Sequence, residues 1–217
     1  MNIILLGIPG SGKSTQATKI SEYLQIPYLG AGNMVRIALE NKFKEYKESV
    51  AKGFLLPDDI VFRIVTDKID QFDLNKGFVM EGYPRTVAQA ELLDLFLLEK
   101  HSKLDIVINL VIGDVLNVES RILDRKQCMY CNAIVITSTV IASNTCPKCK
   151  TPNAFRLDDC VDSFQTRMNE YTEKTLPVVN YYSGKGIINK IDASMSIENV
   201  FQSTLAVINS IPLSMAN

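Results

Sequence analysis

The sequence predicts an α/β fold: a parallel sheet covered by helices on both faces, with two insertions mounted on it. Three observations predict it. Short apolar runs alternate along the chain with amphipathic helical patterns, as a sheet built through helical crossovers requires. The stretch Gly7-Ile8-Pro9-Gly10-Ser11-Gly12-Lys13-Ser14-Thr15 fits G-x-x-x-x-G-K-[ST] and sits between the first apolar run and the first helical pattern. Two segments, about 30–58 and 124–158, break the alternation and read as insertions on one core. With 217 residues, 47% of them hydrophobic and 22% charged, the chain can bury one sizeable core.

The elements follow in order. Residues 3–6 are a continuous apolar run, read as a buried strand. Residues 15–24 place Ala17, Ile20 and Leu24 at helical spacing. Between them the glycines let backbone N–H groups converge on an anion without Cβ clashes, while the helix N-terminus and Lys13 supply positive charge. A triphosphate is the natural guest, and the core reads as a P-loop NTPase-type sheet. A weaker strand lies near Pro27-Tyr28-Leu29, and residues 30–58 are helical with no strand of their own. A helix follows over 58–69, starting at Asp58 after Pro57, then a strand within 76–82 and a helix over 87–98. A strand within 104–112 leads to a helix over 114–123; Arg121 and Arg125, four apart, are assigned to one helix face. Helix over 159–182, strand within 186–192 and helix over 196–208 complete the core.

The second insertion carries Cys128-Met129-Tyr130-Cys131 and Cys146-Pro147-Lys148-Cys149, two C-x-x-C knuckles with 14 residues between them. Four thiolates so spaced point to a closed tetrahedral structural site; the competing reading is a redox dithiol pair. Residues 134–137 and 139–141 read as the strands of a β-ribbon between the knuckles, and the metal is expected to supply much of the folding free energy of so small a piece. Cys160 reads as a small core residue and His101, in a polar stretch, as a surface one. A net charge of −1 argues against a general nucleic-acid or membrane surface. No apolar run reaches transmembrane length and the N-terminal apolar residues belong to a strand, so no signal peptide is expected. A cytoplasmic protein follows, in which cysteines serve as ligands or free thiols rather than disulfides.

Of the seven arginines, Arg85 follows Glu81-Gly82-Tyr83-Pro84 at a strand end, where ligands bind in open α/β sheets. Phosphoryl transfer needs several planar cations around the moving group, because its charge spreads over three oxygens. Residues 7–15, Gly32-Asn33-Met34-Val35-Arg36, Gly82-Tyr83-Pro84-Arg85-Thr86 with Gln89, Arg121 and Arg125, the four cysteines, and Arg156-Leu157-Asp158-Asp159 with Arg167 together carry a resemblance. In order and spacing the chain closely resembles the adenylate kinases, nucleoside monophosphate kinases with a long zinc-bearing lid, from Met1 to about Phe201. Only Arg63 falls outside the family's phosphate- or nucleotide-contacting arginine positions.

The resemblance implies reversible transfer from MgATP to AMP, giving two ADP. It implies a core domain over 1–29, 59–123 and 160–217, an AMP-binding insertion over 30–58 and a zinc-binding lid over 124–159, the two insertions closing as hinged lids. Gly10, Ser11, Gly12, Lys13, Ser14 and Thr15 would hold ATP, with Arg121 over its adenine and Arg125, Ile134, Val135 and Met195 nearby. Arg36 and Arg85 would hold the AMP phosphate, and Gln89 and the Gly82 carbonyl would read its base. Ala31, Phe54, Leu55, Leu56, Val61, Tyr83 and Pro84 would complete that side. Lys13, Arg85, Arg125, Arg156 and Arg167 would neutralise the transferring group, and Asp158 and Asp159 would orient lid arginines. Cys128, Cys131, Cys146 and Cys149 would bind Zn²⁺; Ser14 and Glu81 would serve Mg²⁺, partly through water. A monomer is implied, with no nucleic-acid or membrane partner. Four positions depart from the family pattern: Ser14 for glycine, Ala31 for threonine, Asn33 for aspartate and Glu81 for aspartate. Alanine at position 31 is typical of uridylate/cytidylate kinases, which stand as the alternative, with a non-catalytic nucleotide sensor as a second one; Gln89 and the cysteine-bearing lid favour AMP.

Overall fold

The computed structural model describes residues 1–113, 118–119, 125–128, 133–136, 145–151 and 161–211. At its centre is an all-parallel sheet of five strands. β1 (Asn2–Gly7) lies in the middle, and β2 (Tyr28–Gly30) is at one edge. β3 (Phe78–Glu81) and β4 (Ile106–Val111) flank β1, and Ile188–Asp192 forms the other edge. Every residue of β1 is buried, and its side chains alternate between two separate clusters: Ile3 and Leu5 on one face, Ile4 and Leu6 on the other. A strand covered on both faces has no use for polar residues, hence the unbroken apolar run.

One face is covered by α1 (Lys13–Leu24), through Ala17 and Ile20, and by the C-terminal helix Ile197–Ser210, through Val200, Phe201 and Leu205. The other face is covered by α4 (Asp58–Ile69), α5 (Val87–Glu99) and the helix Leu176–Gly184, through Val65, Leu93, Leu97, Val178 and Tyr182. Each fully buried aliphatic side chain here contributes about 1.5–3 kcal/mol relative to exposure. Thr86 caps α5 by accepting from the Gln89 backbone N–H at 3.1 Å, and Ser196 caps the last helix in the same way.

The segment expected to form the first insertion contains α2 (Ala31–Asn41), a 3₁₀ turn over Lys44–Tyr46 and α3 (Lys47–Ala51). Phe43, Tyr46 and Val50 pack against the α4 side of the core. The second insertion contributes an antiparallel pair, β5 (Arg125–Gln127) and β6 (Ile134–Ile136). This corrects one expectation. Arg125 lies on a strand, not on a helix face shared with Arg121, because the three residues before Cys128 are needed to pair with the three after Ala133. Of the ribbon expected between the knuckles, Ile134–Ile136 form β6, as expected, and pair with β5; residues 137 and 139–141 lie outside the described residues.

Beyond the insertion, α6 (Val161–Glu170) runs through a π-helical turn, Tyr171–Thr175, into α7 (Leu176–Gly184). The single helix expected over 159–182 is therefore one rod with an interruption in its hydrogen-bond pattern. β7 (Ile188–Asp192) and α8 (Ile197–Ser210) follow. Of the helix expected over 114–123, Val118 and Glu119 are helical; its other residues, Asp114 included, lie outside the described residues.

Candidate active site

The site forms at the carboxyl ends of β1 and β3, where the chain order of the strands reverses. β1 ends on Gly7 with φ +144°, and a Cβ there would lie 2.6 Å from the Leu110 carbonyl oxygen and 2.7 Å from Ser11 Oγ. Glycine is thus required by conformation and by space. The loop closes with Ser11 N–H donating to Ile8 O at 3.2 Å, and Gly12, left-handed at φ 87°, starts α1. The first-turn N–H groups of α1 have no intrahelical acceptor, and no acidic residue lies among them to satisfy them. Lys13 folds back so that Nζ donates to Gly7 O at 2.8 Å, Ile8 O at 2.7 Å and Ser11 Oγ at 3.4 Å.

One cavity brings this loop together with three other parts of the chain. Arg36 comes from the first turns of α2, Arg85 from the loop after β3, and Arg167 from α6. Lys13 and these three arginines meet two carboxylates lining the same cavity, Glu81 and Glu170, so cations outnumber carboxylates four to two among the described residues. Glu170 is itself paired with Lys174 at 2.8 Å. The gathered cationic side chains, the helix N-terminus and the glycine loop suit a polyanion.

The loop after β3 is held internally. Gln89, 1% exposed, accepts at Oε1 from Arg85 N–H (2.7 Å) and donates from Nε2 to Asp58 Oδ1 (2.7 Å). Thr86 Oγ1 donates to Asp58 Oδ2 at 2.9 Å. Arg85 Nε donates to the Gly82 carbonyl at 2.8 Å, and Thr175 Oγ1, from the π turn, donates to the Arg85 carbonyl at 3.0 Å. Tyr171 and Thr175 line the cavity, and π turns gather at functional sites. On the P-loop side, Ser14 Oγ donates to Glu81 Oε1 at 3.1 Å and Tyr28 Oη donates to the same oxygen at 3.0 Å. Burial first, and the Glu81 charge second, push the Tyr28 phenol well above its ordinary pKa, so it stays a donor.

Twelve of the sequence-predicted residues converge here. Gly10, Gly12, Lys13, Ser14, Thr15, Arg36, Leu55, Glu81, Gly82, Pro84, Arg85 and Arg167 all line the cavity. Ser11, Ala31, Leu56, Val61, Tyr83 and Gln89 are buried. Phe54 and Met195 are exposed at 47% and 38%. Ile134 and Val135 lie on β6 and Arg125 on β5; Arg121, Cys131, Arg156, Asp158, Asp159 and Cys160 lie outside the described residues. His101 is exposed, as expected. Sequence reasoning missed Tyr28, Tyr171 and Thr175. A tyrosine two residues before a glycine on one short strand was a usable signal for the first; the π turn had none.

The sulfur atoms of Cys128, Cys146 and Cys149 lie within 4.8 Å of one another, Cys128 and Cys149 at 3.6 Å. Four sulfurs around zinc at about 2.3 Å stand roughly 3.8 Å apart, so this grouping fits a tetrahedral thiolate site. Both knuckles are folded by backbone bonds, Cys128 N–H to Ala133 O (2.8 Å) and Lys150 N–H to Cys146 O (2.8 Å). Three thiols this close suit one metal better than two independent redox pairs.

A family model described as adenylate kinase matches residues 5–187. The chain is 39% identical over 216 residues to an adenylate kinase of Archaeoglobus fulgidus, covering 97% of this chain and 99% of the relative. It is 40% identical over 207 residues to one from Thermoanaerobacter sp. strain X514 (93% and 95% covered) and 41% over 205 residues to one from Kosmotoga olearia (92% and 95%).

Proposed function

The chain belongs to the adenylate kinase family, and from that premise we infer that it transfers a phosphoryl group reversibly from ATP to AMP, giving two ADP. The observation that carries the reading is the convergence of Lys13, Arg36, Arg85 and Arg167 on one cavity beside the glycine loop. The glycine loop and the α1 N-terminus take the triphosphate of ATP, with Lys13 leaving its backbone carbonyls for the phosphate oxygens. Arg36 and Arg85 hold the AMP phosphate. Arg167, with Arg125 and Arg156 from the lid, neutralises charge on the moving group. No strong general base is needed, since positioning and preorganised charge lower the barrier. Gln89 reads the AMP base with the donor and the lone pair that its bonds to Asp58 and Arg85 leave over.

The hydroxyl of Ser14 and the carboxylate of Glu81, both hard oxygen donors beside the loop, suit the Mg²⁺ that adenylate kinases use with ATP; bound there, the ion neutralises phosphate charge. Cys128, Cys146 and Cys149, with Cys131 as the fourth ligand, suit a structural Zn²⁺. Residues 30–58 serve as the AMP-binding insertion and 124–159 as the lid on a core of 1–29, 59–123 and 160–217. The uridylate/cytidylate alternative rested on Ala31; the family model and the reported relatives are all adenylate kinases, so it is not favoured. Among the described residues no helix is long and apolar enough to cross a membrane. Thiols grouped as ligands suit a reducing compartment, which supports action in the cytoplasm. We take the chain as a monomer without nucleic-acid or membrane partners, in keeping with its net charge of −1; light scattering checks the former. The deciding experiment is turnover of ATP against AMP, UMP, CMP and dTMP, with and without Mg²⁺. AMP-dependent ADP formation that requires Mg²⁺ is expected, and a preference for a pyrimidine monophosphate would overturn the reading.

A further inference from the structure

We propose that Tyr28 is a positioning residue for the Glu81 carboxylate, and that position 30 is glycine to make room for it. The two lie on one face of β2, and Gly30 is the register partner of Glu81 across the β2–β3 pair. The phenol reaches over Gly30 to donate to Glu81 Oε1 at 3.0 Å, and Ser14 Oγ donates to the same oxygen at 3.1 Å. A Cβ on Gly30 would lie 2.9 Å from Tyr28 Oη and 3.2 Å from Cζ.

Nothing in the backbone asks for glycine there. Gly30 has φ −88° and ψ 96°, an extended conformation open to any residue. It is also the N-cap of α2, where serine, threonine, aspartate or asparagine would ordinarily be preferred, and it offers no side-chain cap. The chain forgoes a cap at the mouth of its own site, and the atom that a capping side chain would strike is the Tyr28 hydroxyl. That trade is explained if the phenol has a task.

The task follows from Glu81. A glutamate has one more torsion than an aspartate, so its carboxylate wanders unless held. Two hydroxyl donors on Oε1 draw the longer arm to one place and leave the other oxygen in a reproducible position beside the loop. Resting on the reading that Glu81 serves the nucleotide-bound Mg²⁺, the inference is that Tyr28 sets metal affinity without touching nucleotide.

The test has two readouts: the Mg²⁺ midpoint of turnover, and Mn²⁺ binding to the protein–ADP complex followed by electron paramagnetic resonance. Tyr28→Phe removes only the hydroxyl and is expected to weaken both by about tenfold. Gly30→Ala is expected to weaken both on its own, yet to add little in the Tyr28→Phe background, because the hydroxyl it strikes is gone. A Tyr28→Phe protein whose metal midpoints stay within about twofold of the parent overturns the proposal, whether or not its melting temperature falls. Should the parent not phosphorylate AMP, the functional reading fails instead, and Mn²⁺ binding still decides the role of Tyr28.

Discussion

Gln89 and Arg85 show how much of the site is decided by single side chains. Gln89 is buried and spends half of its amide on Asp58 and the Arg85 backbone, so it shapes the loop that it would also use to read a base. Arg85 is fixed from both sides, by Gln89 at its N–H and by Thr175 at its carbonyl. With its backbone so held and its Nε donating to the Gly82 carbonyl, the Arg85 guanidinium needs little reorganisation when a phosphate arrives, which is the condition for preorganised catalysis. Arg85→Ala and Lys13→Ala are each expected to lower kcat by about 10²–10⁴-fold with the melting temperature nearly unchanged, since both side chains line the cavity rather than the core. Steady-state kinetics beside thermal unfolding checks this, and near-parent turnover in both variants would remove the assigned roles. These residues were legible in the sequence because the glycine motif and the Gly-Tyr-Pro-Arg stretch carry their chemistry in a short window. Tyr28 was not, because its partners Ser14 and Glu81 are distant in sequence and meet only through the strand order.

At the level of elements, the strands were readable for a physical reason: both sheet faces are covered, so β1 and β4 are nearly pure apolar runs. The helix start at Asp58 followed from Pro57, and in the structure Thr86 and Ser196 cap the helices that begin at Val87 and Ile197. The π turn was not readable, because Tyr171–Thr175 has a composition that any helix accepts and only tertiary contacts select the wider turn. Thr175→Val keeps the shape but removes the hydroxyl that donates to Arg85 O. It is expected to cost about 1–2 kcal/mol of stability and to raise KM for AMP more than KM for ATP; equal changes in both would argue that the turn does not serve the Arg85 loop. The β5–β6 hairpin is too small to bury a core, and its buried sulfurs take that place. Elemental analysis is expected to find one zinc per chain. Cys146→Ala, or chelation, should lower the melting temperature by several degrees and open this hairpin before the sheet, as amide exchange would show. A protein with no tightly bound metal after purification under reducing conditions would refute the site.

The whole molecule must bring two nucleotides together and then release them. In the structure the end of the first insertion rests on α6: Gly53, at φ +97°, approaches so closely that a Cβ would lie 2.8 Å from the Ser163 carbonyl oxygen and 3.0 Å from Arg167 Cγ. Arg167 lines the cavity that Arg36 enters from the other side, so this contact joins the insertion to the cationic centre. Cations drawn together repel, and phosphates between them turn the same approach into an attraction, which supplies the differential affinity that ligand-driven closure requires. The Gly53 contact is therefore expected to act as the seat of closure. A methyl there meets both a strained φ and a backbone oxygen, so Gly53→Ala should favour the parted arrangement. Labels at the exposed positions Glu45 and Gln165 read it directly. Without nucleotide, Gly53→Ala should lengthen the distance between them relative to the parent. A bisubstrate analogue carrying both nucleotides should shorten it in each protein, with weaker apparent affinity in the variant because part of the binding energy is spent on closing. If the distance is the same in parent and variant, and does not respond to the analogue, the insertion does not move against α6 and closure must be sought elsewhere in the chain.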